Sequence, residues 1–286
     1  MANPGVHPIT SADAGRVSAF LHQNLNSRVS SEAWQKLLVP PWQDTGPNHG
    51  FQLTSDDGAV VGAYVAVYSQ REVNGITIDV CNLAAFCVVE GFRAHSLRLI
   101  RAILKQPGFV FVDLSPSGNV VAMNERLGFK RLDTSTRLVV NLPHLPPRHG
   151  RLTSDPATLD RVLVGRDALV YRDHFHAAAV EHLLVEGAGE YGYLMFRRDR
   201  RKGLRLFATP LYAGGSTECI EGAWGAIRSH LLGKGLLFTL AEHRVLRFSR
   251  GPGTALRTPR PKMFRGDGID AQDIDYLYSE LTLVAW

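Results

Sequence analysis

Residues 76–129 read ITIDVCNLAAFCVVEGFRAHSLRLIRAILKQPGFVFVDLSPSGNVVAMNERLGF, and the fold turns on them. Ile76 to Val89 is a long, partly β-branched apolar run, the pattern of a centrally buried strand. Gly91 breaks it. Ser96 to Lys105 then places Leu97, Leu99, Ile100, Ile103 and Leu104 in the apolar stripe of a helix. Phe109 to Leu114 is a second buried strand, Ser115 to Gly118 a turn, and Asn119 to Leu127 a short helix closed by Gly128. A buried strand that feeds a turn and then a helix start is a phosphate cradle, because unpaired amides and the helix dipole both face the anion. The turn in question is Glu90 to Ser96, where Arg93 adds a charged donor.

The segments on either side extend this rhythm. Ala12 to Leu25 carries Val17, Phe20, Leu21 and Leu25 at helical spacing. Ser30 or Ser31 caps a second helix bearing Trp34 and Leu37, which Pro40 and Pro41 terminate. Gly50 to Thr54 and Ala59 to Val67 form a hairpin around Ser55–Gly58. Leu132 to Leu142 reads as the closing strand of the first half. The Pro-rich stretch 143–150 is a semi-rigid spacer, which divides the chain into domains 1–142 and 151–286. In the second half, Leu159 to Val185 reads as mostly helical, and Tyr191–Arg198 with Leu204–Leu211 as hairpin strands. Thr217–Leu232 reads as a helix, Leu236–Leu240 as a strand, and Tyr276–Trp286 as a helical turn followed by a strand. Helix, hairpin, helix, strand, strand recurs in both halves, as in a duplicated α/β (α+β) fold of two lobes, each a mixed, mainly antiparallel sheet flanked by helices.

At 286 residues the chain is one large domain or two small ones. A hydrophobic fraction of 45% excludes disorder as its main state. Three cysteines exclude a disulfide scaffold, and the Cys and His spacings match no zinc site. No apolar run is long enough to span a bilayer and no secretory leader opens the sequence, so a cytoplasmic chain is expected. The net charge of +5 suits a polyanionic ligand. Two basic clusters, 197–202 and 247–265, read first as a solvated hairpin and a basic loop.

The central stretch resembles the GNAT superfamily of acyl-CoA-dependent N-acyltransferases over about residues 8–140. In that family the fourth strand enters an Arg/Gln-x-x-Gly-x-Gly/Ala turn that holds the CoA pyrophosphate. Here Arg93-Ala94-His95-Ser96-Leu97-Arg98 stands at the turn, with Ser96 and Arg98 where the family has small residues. The second signature, an Asn ahead of a helix ending Tyr-x-x-x-Gly-Phe, is matched by Asn119 and by Leu127-Gly128-Phe129. Asn124 stands where many members carry a tyrosine that protonates the leaving thiolate, a task no Asn performs at neutral pH. The resemblance implies acetyl-CoA or another acyl-CoA as co-substrate, held by Arg93 to Arg98, with Asn119 on the pantetheine arm. It also implies a bulge in the fourth strand, looked for at Phe86, Cys87 and Val88, whose free amide meets the thioester carbonyl.

An amine acceptor, free or carrier-bound, is expected between the lobes, whether the chain is a monomer or a homodimer. Asp79 is the one carboxylate inside the fourth strand and the first candidate for the base, while Ser115 is a candidate to hold a water or the thiolate. A Cys81 or Cys87 acyl-enzyme needs a lowered thiol pKa and a paired His. Three clusters of the second half look chemical: Tyr171–His176, Glu242–Arg244 and Ile274–Glu280. Each reads more simply as packing or an interdomain network. Gly214–Thr217 is a candidate anion turn. Two other function classes compete: a non-catalytic scaffold of the same fold, supported by the lost glycines and Asn124, and a nucleic-acid module using 197–202, which lacks interleaved aromatics.

Overall fold

A computed structural model describes residues 4–43, 46–73, 75–144, 151–187, 189–201, 203–249 and 253–285. Two sheets of seven strands each organise it. The first runs β1 (Gly5–Pro8), β2 (Gly50–Thr54), β3 (Val60–Val73), β4 (Ile76–Val88), β5 (Phe109–Asp113), then β14 (Met263–Arg265), then β6 (Lys130–Arg131). The second runs β8 (Arg151–Thr153), β9 (Val180–Gly187), β10 (Glu190–Arg201), β11 (Leu204–Gly215), β12 (Phe238–Glu242), then β7 (Thr136–Val140), then β13 (Thr254–Ala255). The helices are α1 (Ala14–Asn24), α2 (Ser31–Gln35), α3 (Ser96–Leu104), α4 (Val120–Arg126), α5 (Pro156–Val162), α6 (Gly165–His174), α7 (Thr217–Gly222), α8 (Trp224–Gly233), α9 (His243–Leu246) and α10 (Glu280–Leu283).

The two sheets repeat one plan. In each, the fourth and fifth strands are parallel and every other pairing is antiparallel. In each, the sixth strand comes from the other half of the sequence. β7, which the sequence places at the close of the first domain, pairs with β12 and β13 instead, and β14 returns to lie between β5 and β6. The division at 143–150 therefore follows the path of the chain but not its sheets. Residues 145–150 of that spacer lie outside the described residues.

Three other expectations shift. The stretch expected to be helical to Val185 leaves the helix at His174, and Val180–Gly187 is a strand between β8 and β10. Its alternation puts Leu183 and Val185 into one core cluster and Leu184 into another, so tertiary pairing overrides the helical reading. The C-terminal stretch ends in a short helix, Glu280–Leu283, with no strand after it among the described residues. The expected strand Leu132–Leu142 shortens to β7.

Core packing follows the pleat. Ala63, Val65 and Val67 of β3 bury against Val17, Phe20 and Leu21 of α1, while Tyr64, Ala66 and Tyr68 face Leu99, Ile100 and Ile103 of α3. Val80, Val110, Val112 and Leu114 of the first sheet share a third cluster with Leu184, Tyr193, Met195 and Leu211 of the second. Tyr276, Leu277 and Leu281 fill the space between them, so the C-terminal stretch is a wedge in the seam of the two lobes.

That seam also holds a buried ion pair. Lys262 and Glu242 are both nearly buried and meet at 2.5 Å, and the Tyr276 hydroxyl donates to the same carboxylate. Burial pulls the Lys262 pKa down, against the pull of Glu242. Replacing Glu242 by Ala strands an ammonium group without its partner. The expected cost is about 3–5 kcal/mol, read as a lowered denaturant midpoint. Glu242→Gln, which keeps an acceptor, is expected to cost less.

Candidate active site

β4 and β5 are bonded only where Asp79–Asn82 face Phe109–Val112. Past that point β5 stops at Asp113, while β4 continues to Val88 and the two diverge. Their separation opens a cavity of about 260 Å³. Leu83, Ala84, Ala85 and Phe86 of β4 form one wall, and Asp113, Ser115, Pro116 and Val120 the other. Tyr64 lines it from β3, Trp34 closes it from α2 and Asn26 from the connection that follows α1.

The β4 wall is irregular. Val65 faces Ala85, but the next residue of β3, Ala66, faces Leu83, so Ala84 is an extra residue in the ladder. A bulge leaves that residue unpaired and bends the strand. Ala84 and Ala85 consequently pack into the same core cluster, which strict alternation forbids. Two small side chains at this point keep the cavity open. The bulge was expected at Phe86–Val88; it lies at Ala84, because the hairpin register, which the sequence of β4 alone does not fix, sets its place.

One buried carboxylate, Asp113, lines the cleft, and a second, Glu280, is linked to it through Ser115. Asp113 is 3% exposed; Asn124 Nδ2 donates to it at 2.8 Å, and the Ser115 amide at 3.4 Å. Burial, and then the neighbouring Glu280 charge, push its pKa up to about 7. Glu280 is fully buried and accepts from Ser115 Oγ at 2.7 Å and from Asn82 Nδ2 at 2.6 Å. Burial raises it too, with those hydrogen bonds pulling the other way. Ser115 therefore joins both acids, and since its proton goes to Glu280, its oxygen is left to accept. Burial, followed by the charge of Asp113, raises the Tyr64 phenol well above its ordinary value, so it keeps its proton.

Of the residues singled out in the sequence, Phe86 and Ser115 line this cavity. Asn124 lies behind it, fully buried on Asp113, as a positioning residue. Asp79 stands at the far end of β4, bonded to Gln70 at 3.0 Å and outside the cleft, so the structure gives it no place as the base. Cys87 and Val88 continue β4 opposite Ala63 and Gly62. Burial raises the thiols of both Cys87 and Cys81, opposite to what an acyl-cysteine needs. Arg93, Ala94 and His95 lie in a 3₁₀ turn, Glu90–His95, with Arg93 exposed and 3.9 Å from Glu90. Ser96, Leu97 and Arg98 open α3, and Arg98 reaches back to the Pro4 carbonyl at 2.8 Å. Asn119 precedes α4 and is exposed.

The Tyr171–His176 cluster is structural. His174 is fully buried, bonded to the Val170 carbonyl and the Tyr278 amide, and its ring packs tilted against Trp42 and edge-on against Tyr278. Burial drives its pKa down to about 3, so it stays neutral. The Gly214-Gly215 turn has its own anion: the Gly215 amide donates to Asp167 at 2.9 Å, and a Cβ on Gly214 would sit 2.0 Å from that carboxylate. The 197–202 run is not a solvated hairpin either, since Arg197 and Asp199 are buried; Lys202 lies outside the described residues.

Asp113 was legible as an acid at the end of the apolar run FVFVD. Glu280, which meets Ser115 across 165 residues, belongs to the Ile274–Glu280 cluster, whose simpler reading was packing. Among the described residues no helix is long and apolar enough to cross a membrane, and no acid, His and Cys group is placed to hold a metal ion.

This arrangement of a mixed sheet flanked by helices is the fold of GCN5-related N-acetyltransferases of known structure. A GCN5-related N-acetyltransferase from Anabaena variabilis superposes with a TM-score of 0.60, covering 92% of this chain and 72% of that one at 13% identity. One from Kribbella flavida gives 0.57, over 92% and 71%, at 15% identity. The glucosamine N-acetyltransferase region of a fungal multi-domain GH3 beta-N-acetylglucosaminidase gives 0.59, over 92% and 38%, at 12% identity. At these identities the likeness is one of fold. No family model and no curated protein matches the chain.

Proposed function

We propose that the protein is an N-acyltransferase, moving an acetyl or longer acyl group from acyl-CoA directly to an amine. The observation that carries this reading is the Ala84 bulge facing Asp113 across the β4–β5 opening. The unpaired backbone amide at the bulge is the donor for the oxygen of the thioester carbonyl as it gains charge. Asp113, with a pKa near neutrality, takes the proton that the attacking amine sheds as the N–C bond forms. The C–S bond then breaks, and the departing sulfur takes the proton that Asp113 removed from the amine, which returns Asp113 to its carboxylate. Asn124 fixes Asp113, and Ser115 orients the amine by accepting its N–H. Arg93 and the amides opening α3 are assigned to the pyrophosphate, and Asn119 to the pantetheine arm. The second sheet is then a second lobe of the same plan whose anion turn Asp167 already fills.

One observation favours a non-catalytic scaffold instead: Arg98, where the family has a small residue, is anchored on Pro4. A thermal-shift titration with CoA, acetyl-CoA and a long-chain acyl-CoA decides between them, since a ligand that binds only the folded state raises Tm. We expect a saturable rise of several degrees, lost in the Arg93→Ala, Ser96→Arg double variant. No rise with any of the three leaves the scaffold.

A further inference from the structure

Ser115 lines a second cavity as well, about 40 Å³, on the seam between the lobes. Its walls are cationic: Arg197 and Arg201 from β10, with Arg260 and Lys262 from the segment that leads into β14. Asp199 and Glu242 are the acids among them. Glu242 is taken by Lys262 and Tyr276. Asp199 is shared between Arg201 and Arg260, each at 3.3 Å, and also accepts from the Arg200 amide at 3.0 Å. Arg197 directs its two terminal nitrogens at neutral acceptors, the carbonyls of Leu281 and Val284, at 2.8 and 3.1 Å. Glu280 faces Arg197 from the cleft side but is committed to Ser115 and Asn82.

Four cations thus line the cavity against two acids. Burial and their mutual repulsion depress Arg197, Arg201 and Lys262 together. A positive excess at the edge of a buried seam is costly unless an anion joins it. The cavity meets the acyl-transfer cleft at Ser115, the residue that joins both carboxylates.

We propose that this cavity is the subsite for an oxyanion carried by the acceptor, a phosphate or carboxylate a few bonds from the amine. The inference rests on the acyl-transfer reading. The amine lies at Asp113 and Ser115, and the anion lies against Arg260 and Arg201, the two more accessible cations. Bidentate guanidinium contacts suit either oxyanion.

The test uses matched acceptors with acetyl-CoA: ethanolamine against O-phosphoethanolamine, glucosamine against glucosamine 6-phosphate, and β-alanine as the carboxylate arm, followed by release of the CoA thiol. The anionic partner of each pair is expected to have a KM lower by about ten- to a hundredfold, the worth of one or two charged hydrogen bonds. Arg260→Gln and Arg201→Gln are expected to remove that advantage in KM, with the acyl-CoA-induced rise in Tm retained as the folding control. A wild-type enzyme that acylates the neutral amine as well as its anionic partner overturns the proposal, and so do variants that keep the discrimination. If acyl-CoA fails to raise Tm, the acyl-transfer reading has failed on its own. O-phosphoethanolamine stabilisation without CoA is then the readout: a shift lost in Arg260→Gln sustains the anion subsite, and no shift overturns it.

Discussion

Asp113→Asn is expected to reduce kcat by about 10²–10⁴-fold, the usual worth of a positioned general base, and at the same time to make the protein more stable above pH 7. The activity half of this result follows from geometry: the carboxylate lines the cleft, and an amide has no capacity to take the amine proton. In the wild type, the rate should fall as pH drops below about 7, where Asp113 becomes protonated. That inflection should vanish in the variant, which separates it from the acceptor's own titration. The stability half follows from linkage. Asp113 has a folded pKa raised from 3.8 to about 7, so the folded state binds its proton more tightly than the unfolded chain does. Its contribution is therefore complete below the unfolded value and is lost as pH rises through about 7. An Asn at 113 never incurs that loss; at about 1.4 kcal/mol per unit the ceiling is about 4 kcal/mol. Tm measured across pH 4–8 reads it. A variant that loses both activity and stability would mark Asp113 as structural only. Glu280→Gln adds a finer check. Removing the second negative charge lowers the Asp113 pKa, so the acid inflection of the rate should move to lower pH while much of the activity remains.

How far the site was legible depends on the distance over which each part is specified. β4, α3, β5 and α4 were readable because the apolar period and the Gly128 cap are local properties, and the elements fall within a few residues of their expected limits. The bulge was misplaced by at least two residues because it belongs to a pairing: Ala84 is extra only relative to Val65 and Ala66 on another strand. The base was sought inside β4, at Asp79, when the acid that faces the cleft ends the neighbouring β5. Strict alternation along one strand gives no access to what the next strand contributes. Glu280 and Arg197 were read as tail packing and surface charge. Their burial is a consequence of two lobes closing on a C-terminal wedge, which no local pattern encodes.

The exchange of strands between the sheets supplies the second large effect. Fragments 1–144 and 151–286, produced separately, are each expected to lack a cooperative thermal transition, and to copurify as a folded pair when expressed together. Without the second fragment, β5 loses its partner β14, and the two-residue β6 loses its one pairing. Met263 and Phe264, 0% and 3% exposed, leave the cores they fill, at about 2–3 kcal/mol each. The wedge residues Tyr276, Leu277 and Leu281 go with them, exposing Val80, Val110, Val112 and Leu114. In the other fragment β12 and β13 lose β7, which bridges them. Together these losses are comparable with the 5–15 kcal/mol by which a domain is ordinarily stable. A 1–144 fragment that melts sharply and is stabilised by acyl-CoA would show that the first sheet closes without β14. The coexpressed pair separates the two meanings of the linker: if the pair folds and carries activity, stretch 145–150 is a dispensable tether. In that case the exchanged strands, and not the covalent connection, hold Asp113 and Ser115 against Glu280.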